Sequence, residues 1–196
     1  MSLTALDPRT ALVLIDLQQG IFGLVDPQAL AQPLARAADL AAAFRAQHLP
    51  VVPVRVDFAP DWADAPRNRT NVSSPTGPPP ANWTQPLPEL HQQPTDVVMT
   101  KRQPGAFYGT DLDLQLRRRG ITGIVPGGVA TSLGVESTGR AGYDLGYNMT
   151  FAVDAMADPN PTAHDHSVHV TFPHFGEVDT TQAIIAALAT TPQASA

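Results

Sequence analysis

Thr10-Ala11-Leu12-Val13-Leu14-Ile15-Asp16-Leu17 is an unbroken apolar run with a single acid near its end, followed by the turn-prone Gln18-Gln19-Gly20. A strand with one wet face alternates polar and apolar side chains. This run does not, so both of its faces are covered, which is the condition of a strand inside a parallel sheet. Pro27 to His48 comes next with Ala-rich, helix-favouring sequence: Asp26 serves as N-cap, Pro27 suits the first helical position, and Leu30, Leu34, Ala37 and Leu40 or Ala41 form an apolar stripe. Pro33 marks either the true start of that helix or a kink. Further strands are expected at Pro50 to Phe58, Asp96 to Thr100, Ile121 to Pro126 and Asn148 to Val153. Helices are expected at Asp111 to Arg119, Ser132 to Leu145, Pro161 to Phe172 and Thr180 to Leu188. Strands alternating with helices require right-handed crossovers, and hence an α/β three-layer sandwich whose mostly parallel, roughly six-stranded sheet is flanked by helices.

The 196 residues, 43% of them hydrophobic, are enough for one compact domain over 1–196 and too few for two with independent cores. A net charge of −6 argues against a nucleic-acid partner or an anionic membrane, because both are bound by Lys and Arg neutralising phosphates. A small-molecule substrate remains the expected partner. The chain has no cysteine, so neither a disulfide framework nor a thiolate metal site is available, in keeping with a cytoplasmic setting. One segment departs from the alternating pattern: Pro60 to Pro94 is dense in proline and has little hydrophobic period. A loop of that length in a compact domain is usually functional or disordered. Trp62 and Trp83 favour an ordered cover over a crevice, or an arm between subunits, since disordered tracts are poor in large aromatics.

In open parallel sheets ligands sit beyond the carboxyl ends of the strands. Asp16, Arg55 or Asp57, Lys101, Ala130 to Gly134 and Asp154 all fall at or just after expected strand ends. The segment Gly127 to Thr138 (GGVATSLGVEST) turns from strand to helix through small residues, so its first N–H groups and positive dipole end face the crevice.

Three blocks, Asp16 in ALVLIDLQ, Lys101 in VVMTKRQPGAFYGTDLDLQLR, and GGVATSLGVESTGRAGYDLGYNMTFAVDAMAD, resemble in order and spacing the signatures of the isochorismatase-like hydrolases, a Rossmann-like family within the cysteine hydrolases. The likeness runs from about Thr10 to Leu188. It implies that Asp16 is the catalytic aspartate, Lys101 the catalytic lysine, and Gly134 the position where most of the family carry the attacking cysteine. It also implies a cis peptide at Val129-Ala130, with the amides of Ala130 and Gly134 as anion-stabilising donors, and a homo-oligomer. Val129, Ala130, Phe22, Arg55 and Phe107 complete the expected site as substrate contacts, although an ion pair between Arg55 and Asp57 competes for that arginine. Nicotinamidases of the family begin their metal site with Asp-x-His after the second strand. Asp57-Phe58-Ala59 lacks the histidine, so neither metal nor organic cofactor is expected.

With glycine at position 134 a covalent thioester route is closed. Isochorismatases share that glycine, which suits hydrolysis of a vinyl ether by acid and water alone. They carry tyrosines where this chain has Ala130 and Pro104, so the expectation is the class, an enol ether such as isochorismate, rather than the individual substrate. Asp16 is the expected acid. A lysine cation at about 4 Å in an effective dielectric of about 20 favours the carboxylate by roughly 4 kcal/mol, about 3 pK units, and is expected to outweigh burial in the free protein. A noncatalytic binder and a hydrolase using Ser132 are the competing readings. The histidines at 164, 166 and 169 read as a hydrated helix surface in preference to a metal site.

Overall fold

The computed structural model describes residues 3–23, 25–72 and 77–192. Strand β1 (Thr10–Ile15) is buried at every position, and its side chains alternate between two cores. Leu12 and Leu14 pack with Leu30, Leu34, Leu40, Phe44, Ile184 and Leu188, whereas Ala11, Val13 and Ile15 pack with Leu112, Leu116, Phe151 and Phe172. Helices α2 (Pro27–Ala46) and α6 (Thr181–Thr190) therefore cover one face; α3 (Leu112–Arg118) and α4 (Glu136–Asp144) cover the other. The short helices α1 (Gln19–Phe22) and α5 (Pro161–His166) complete the set.

The other strands are β2 (Val51–Val56), β3 (Met99–Lys101), β4 (Gly123–Val129), β5 (Asn148–Ala152), β6 (Met156–Ala157) and β7 (Glu177–Asp179). The order is β3-β2-β1-β4-β5-β7, β6 pairs with the far end of β4, and every pairing is parallel. The chain winds outward from β1 through β2 to β3, then returns to lay β4 on the other side of β1. In open parallel sheets ligands bind at such a reversal, which here lies at the carboxyl ends of β1 and β4. No helix among the described residues is long and apolar enough to cross a membrane.

The mostly parallel α/β sandwich expected from the sequence is present, with several boundaries displaced for identifiable reasons. Helix α2 passes unbroken through Pro33: its stripe of Leu30, Leu34, Ala37, Leu40, Ala41 and Phe44 is buried, and that burial outweighs one missing hydrogen bond. Strand β4 continues through Pro126, where the sequence places its end. Pairing with β5 stops at Ile124↔Met149 and pairing with β6 resumes at Gly128↔Met156, so Pro126 falls where no strand on that side needs an N–H. Strand β3 begins at Met99 instead of Asp96, because Asp96 takes both oxygens to the Arg45 guanidinium (2.7 and 3.1 Å). The expected helix from Pro161 to Phe172 is interrupted: α5 gives way to a π turn at Ser167–Thr171 and a 3-10 turn at Phe172–His174, where Pro173 cannot donate.

The described part of the Pro-rich stretch is laid along the link from β1 to α1. Gln19 and Gly20 donate to the carbonyls of Gln85 and Trp83, and Leu87 donates to Leu17. Trp83 lies against Gly20, its Nε1 donates to the Val56 carbonyl (2.8 Å), and Trp62 meets it edge to face. Gln18 fastens the arrangement from below. Its amide accepts from Val56 N (2.7 Å) and donates to the carbonyls of Val56 and Trp83 (2.9 and 2.8 Å).

Candidate active site

Asp16 keeps its place in the sheet ladder through its N–H, which donates to Val54 O (2.8 Å), but its φ of 53° breaks the strand's alternation. By alternation its side chain would follow Leu12 and Leu14 toward α2. The left-handed turn instead delivers the carboxylate to Lys101. Lys101 ends β3, in register with Val56, two strands away from β1. Two strand spacings amount to about 10 Å, a gap that needs a side chain as long as lysine to close. The ammonium stands 2.7 Å from Asp16 Oδ2 and donates to Pro104 O at 2.5 Å.

Both partners are removed from water, with 2% of Lys101 and 8% of Asp16 exposed. Burial pushes the Asp16 carboxyl up to about 6, against the opposing pull of the Lys101 charge and hydrogen bond. The sign is thus opposite to that expected from the sequence: desolvation exceeds the attraction of the lysine. At pH 7 the carboxylate still outnumbers the acid about tenfold. Oδ2 is engaged by the ammonium, while Oδ1 is buried without a hydrogen-bond partner among the described residues. An orphaned carboxyl oxygen is costly to leave, and it is the oxygen that the ammonium leaves open to a proton.

The facing wall comes from the end of β4. Gly128 adopts a φ of 114° and lies so close to β1 that a Cβ would fall 2.1 Å from Ile15 O, which restricts the position to glycine. The Val129-Ala130 peptide is cis. A π turn at Thr131–Val135 leads into α4, and within it Gly134 faces the carboxylate: a Cβ built there would lie 3.5 Å from Asp16 Oδ2 and 2.9 Å from Ile15 Cγ2. The three positions singled out at 16, 101 and 134 therefore converge. Thr138, one helical turn beyond Gly134, is wholly buried, donates to Gly134 O (2.7 Å) and accepts from Ala106 N (3.1 Å).

Of the other candidates, Val129 and Ala130 adjoin Gly134, the Val129 carbonyl lying 3.2 Å from where a Cβ there would stand, and the rest lie apart. Val129 is buried at the end of β4, and Ala130 stands half-buried beyond it. Phe22 closes α1 and packs, half-buried, on the α2-side core. Arg55 points away from the lysine: Val54 and Val56 share the face of Lys101, so Arg55 lies on the opposite one, where its Nε donates to Thr100 Oγ1 (3.0 Å). Among the described residues it forms no ion pair with Asp57. Phe107 is a core residue, stacked on Tyr147 and packed against α4 near Gly142, two turns from Gly134. Asp154 binds the N–H and hydroxyl of Thr181 at the start of α6 instead of facing the crevice. Ser132 gives both its N–H and its hydroxyl to Asp158 Oδ2 (2.8 and 2.7 Å), and among the described residues it makes no hydrogen bond to Asp16 or Lys101. His164 binds Thr131 Oγ1 (2.8 Å), and His169 meets the Asp165 carbonyl. Among the described residues no cluster of three or more His, Asp or Glu could hold a metal.

Sequence reasoning missed Thr138, Asp158 and the Pro104 carbonyl. Thr138 was within reach, since position i+4 from Gly134 shares its helix face. A backbone carbonyl leaves no trace in side-chain identity.

The sequence model of the isochorismatase domain matches residues 10–183. This chain is a hydrolase of the isochorismatase family. Within the family it is 43% identical over 180 residues to the uncharacterized protein YecD of Escherichia coli O157:H7, covering 91% of this chain and 96% of that one. An isochorismatase family protein of Burkholderia thailandensis superposes with a TM-score of 0.91 at 45% identity, covering 96% of this chain and all of the other. A ureidoacrylate amidohydrolase, RutB of Methylobacterium radiotolerans, is 31% identical over 194 aligned positions, 84% of this chain and 72% of its own length. The family thus includes an enzyme named as an amidohydrolase.

Proposed function

We propose that this protein hydrolyses a small enol ether by general acid catalysis, without a covalent enzyme intermediate. Asp16 is the acid, Lys101 its electrostatic partner, and Gly134 the backbone beside them. The observation that carries the reading is the unpartnered, buried Oδ1 of an aspartate already raised to about 6. A carboxyl that burial has made half-willing to hold a proton, with one oxygen left free of the ammonium, suits donation to carbon.

In the reaction the proton on Asp16 Oδ1 passes to the terminal carbon of the C=C–O unit, whose π electrons form the new C–H bond and leave an oxocarbenium ion. The carboxylate so created is held by the ammonium 2.7 Å from Oδ2. Water adds to the cationic carbon and returns its proton to Oδ1. The resulting hemiketal collapses with cleavage of the ether C–O bond, giving a carbonyl compound and an alcohol for one water consumed. The amides of Ala130 and Gly134 orient the substrate's polar end, and the close approach of Gly134 to Ile15 and Asp16, where a Cβ would stand 2.9 Å from Ile15 Cγ2, brings that backbone up to the carboxylate.

The test is turnover on a panel of enol ethers, imidates and small amides. The enol-ether activity should fall about tenfold per pH unit above pH 6, and in D2O the product should carry one deuterium on the newly formed methyl or methylene carbon. Asp16→Asn should lower kcat by about 10²- to 10⁴-fold. Near-native turnover by Asp16→Asn overturns the assignment. A ligand-dependent rise in melting temperature with no product for any compound would make the protein a binder instead.

A further inference from the structure

We infer that Thr138 is a positioning residue for the Asp16–Lys101 pair, setting through its hydroxyl how much of the lysine's charge the aspartate receives. The basis is a closed circuit of contacts. Lys101 Nζ divides itself between Asp16 Oδ2 (2.7 Å) and the carbonyl of Pro104 (2.5 Å). Two residues on, the N–H of Ala106 donates to Thr138 Oγ1 (3.1 Å), and that hydroxyl donates to the carbonyl of Gly134 (2.7 Å). Gly134 in turn faces Asp16, a Cβ there falling 3.5 Å from Oδ2. Thr138 and Ala106 are both entirely buried, so water cannot replace either bond.

The circuit has one mechanical weak point. The segment Pro104–Gly105–Ala106 belongs to no helix or strand, and its height over the sheet is set where it meets α4: Gly105 lies against Ser137 and Ala106 hangs on the Thr138 hydroxyl. If that hydroxyl is lost, the Ala106 N–H has no acceptor on α4; the bonds from Thr110 Oγ1 to Ala106 O (2.6 Å) and from Gln103 Nε2 to Gly105 O (3.1 Å) remain, so the segment pivots on them and carries the Pro104 carbonyl with it. The ammonium then loses its second acceptor and turns fully to Asp16, the charged form of the carboxyl is favoured, and less of the acid form remains at neutral pH. Thr138 thus works through Lys101 to keep the carboxyl protonatable, and touches no reacting atom.

The inference rests on Asp16 acting as the acid, yet its test needs no substrate. Aspartate labelled with ¹³C at Cγ reports the titration of Asp16 directly in the native protein, assigned by loss of its resonance in Asp16→Asn. In Thr138→Val, of nearly the same shape without the hydroxyl, the midpoint should fall by about one pH unit, the lower end of what a nearby opposite charge does. Thr138→Ser, which keeps the hydroxyl and drops the methyl, should titrate as native. If Thr138→Val does not fold, Thr138→Cys, a far weaker hydrogen-bonding group of similar size, takes its place with the same downward shift expected. A midpoint that stays or rises in the hydroxyl-free variant overturns the inference, as does an equal shift in Thr138→Ser. Failure of the enol-ether reading would appear as absent turnover in the native protein, with this titration unaffected.

Discussion

A carboxyl that is raised on folding makes the folded state bind a proton more tightly than the unfolded chain does. For Asp16, with 3.8 as its ordinary value and about 6 in place, this contribution to stability is fully present below pH 3.8 and is lost as pH rises through 6. The full difference is 2.2 units, about 3 kcal/mol. Asp16→Asn has nothing to titrate at that position. Its unfolding free energy, measured with denaturant and referred to that of the native protein, should therefore gain about 3 kcal/mol between pH 3.5 and pH 7.5. A constant difference across that range would mean that the lysine compensates burial completely. At this scale the sequence singled out positions 16, 101 and 134, which the fold brings together, but not the balance between the charges there. Charge attraction can be written down from residue types alone, whereas desolvation depends on how little of Asp16 and Lys101 the fold leaves exposed. Arg55 and Phe107 stand apart from the Asp16–Lys101 pair for a related reason: Arg55 lies on the other face of β2, and Phe107 stacks inward on Tyr147.

Among the elements, α2 carries an avoidable burden. Pro33 removes one hydrogen bond from a helix that otherwise runs straight from its Asp26 cap, whose carboxylate accepts from Gln28 N at 2.9 Å. Pro33→Ala should restore that bond and raise stability by about 1 to 2 kcal/mol, the helix gain being offset in part by the looser unfolded chain. Thermal unfolding at constant pH measures it, and a lowered melting temperature would show that Pro33 packs better than its backbone fits. Gly128→Ala should act in the other direction and more strongly, since its new methyl would stand 2.1 Å from the Ile15 carbonyl in the middle of the sheet; loss of soluble folded protein is expected. The central elements were legible because β1 and α2 each carry a long, uniform pattern. Strands β6 and β7 were not, being two and three residues long, too short for any periodicity to register.

For the molecule as a whole, the Pro-rich stretch is fastened to the sheet by few bonds, and these can be counted on to loosen together. Trp83→Phe keeps the ring over Gly20 and removes only the Nε1 bond to Val56 O. It should cost about 1 kcal/mol and speed amide hydrogen exchange at Gln19, Gly20 and Leu87, whose bonds join the stretch to the β1–α1 link, while amides of β1 and β4 keep their protection. Equal acceleration in β1 would mean that cover and sheet open as one unit. The sequence identified this stretch by its composition, but its path depends on Gln18 imitating a neighbouring strand with a side-chain amide, a use of glutamine that no local pattern announces.

The strand order carries a consequence for time as well as for space. Asp16, Lys101 and Gly134 are supplied by the end of β1, by β3 and by the turn after β4, so no segment shorter than about three-fifths of the chain contains the three, and each pairing that joins them spans a large loop. As synthesis proceeds, Asp16 emerges first and waits for about half of the chain to be made before it meets a counter-charge at Lys101. Catalytic competence should therefore be among the last properties to appear during refolding, trailing helix formation by circular dichroism.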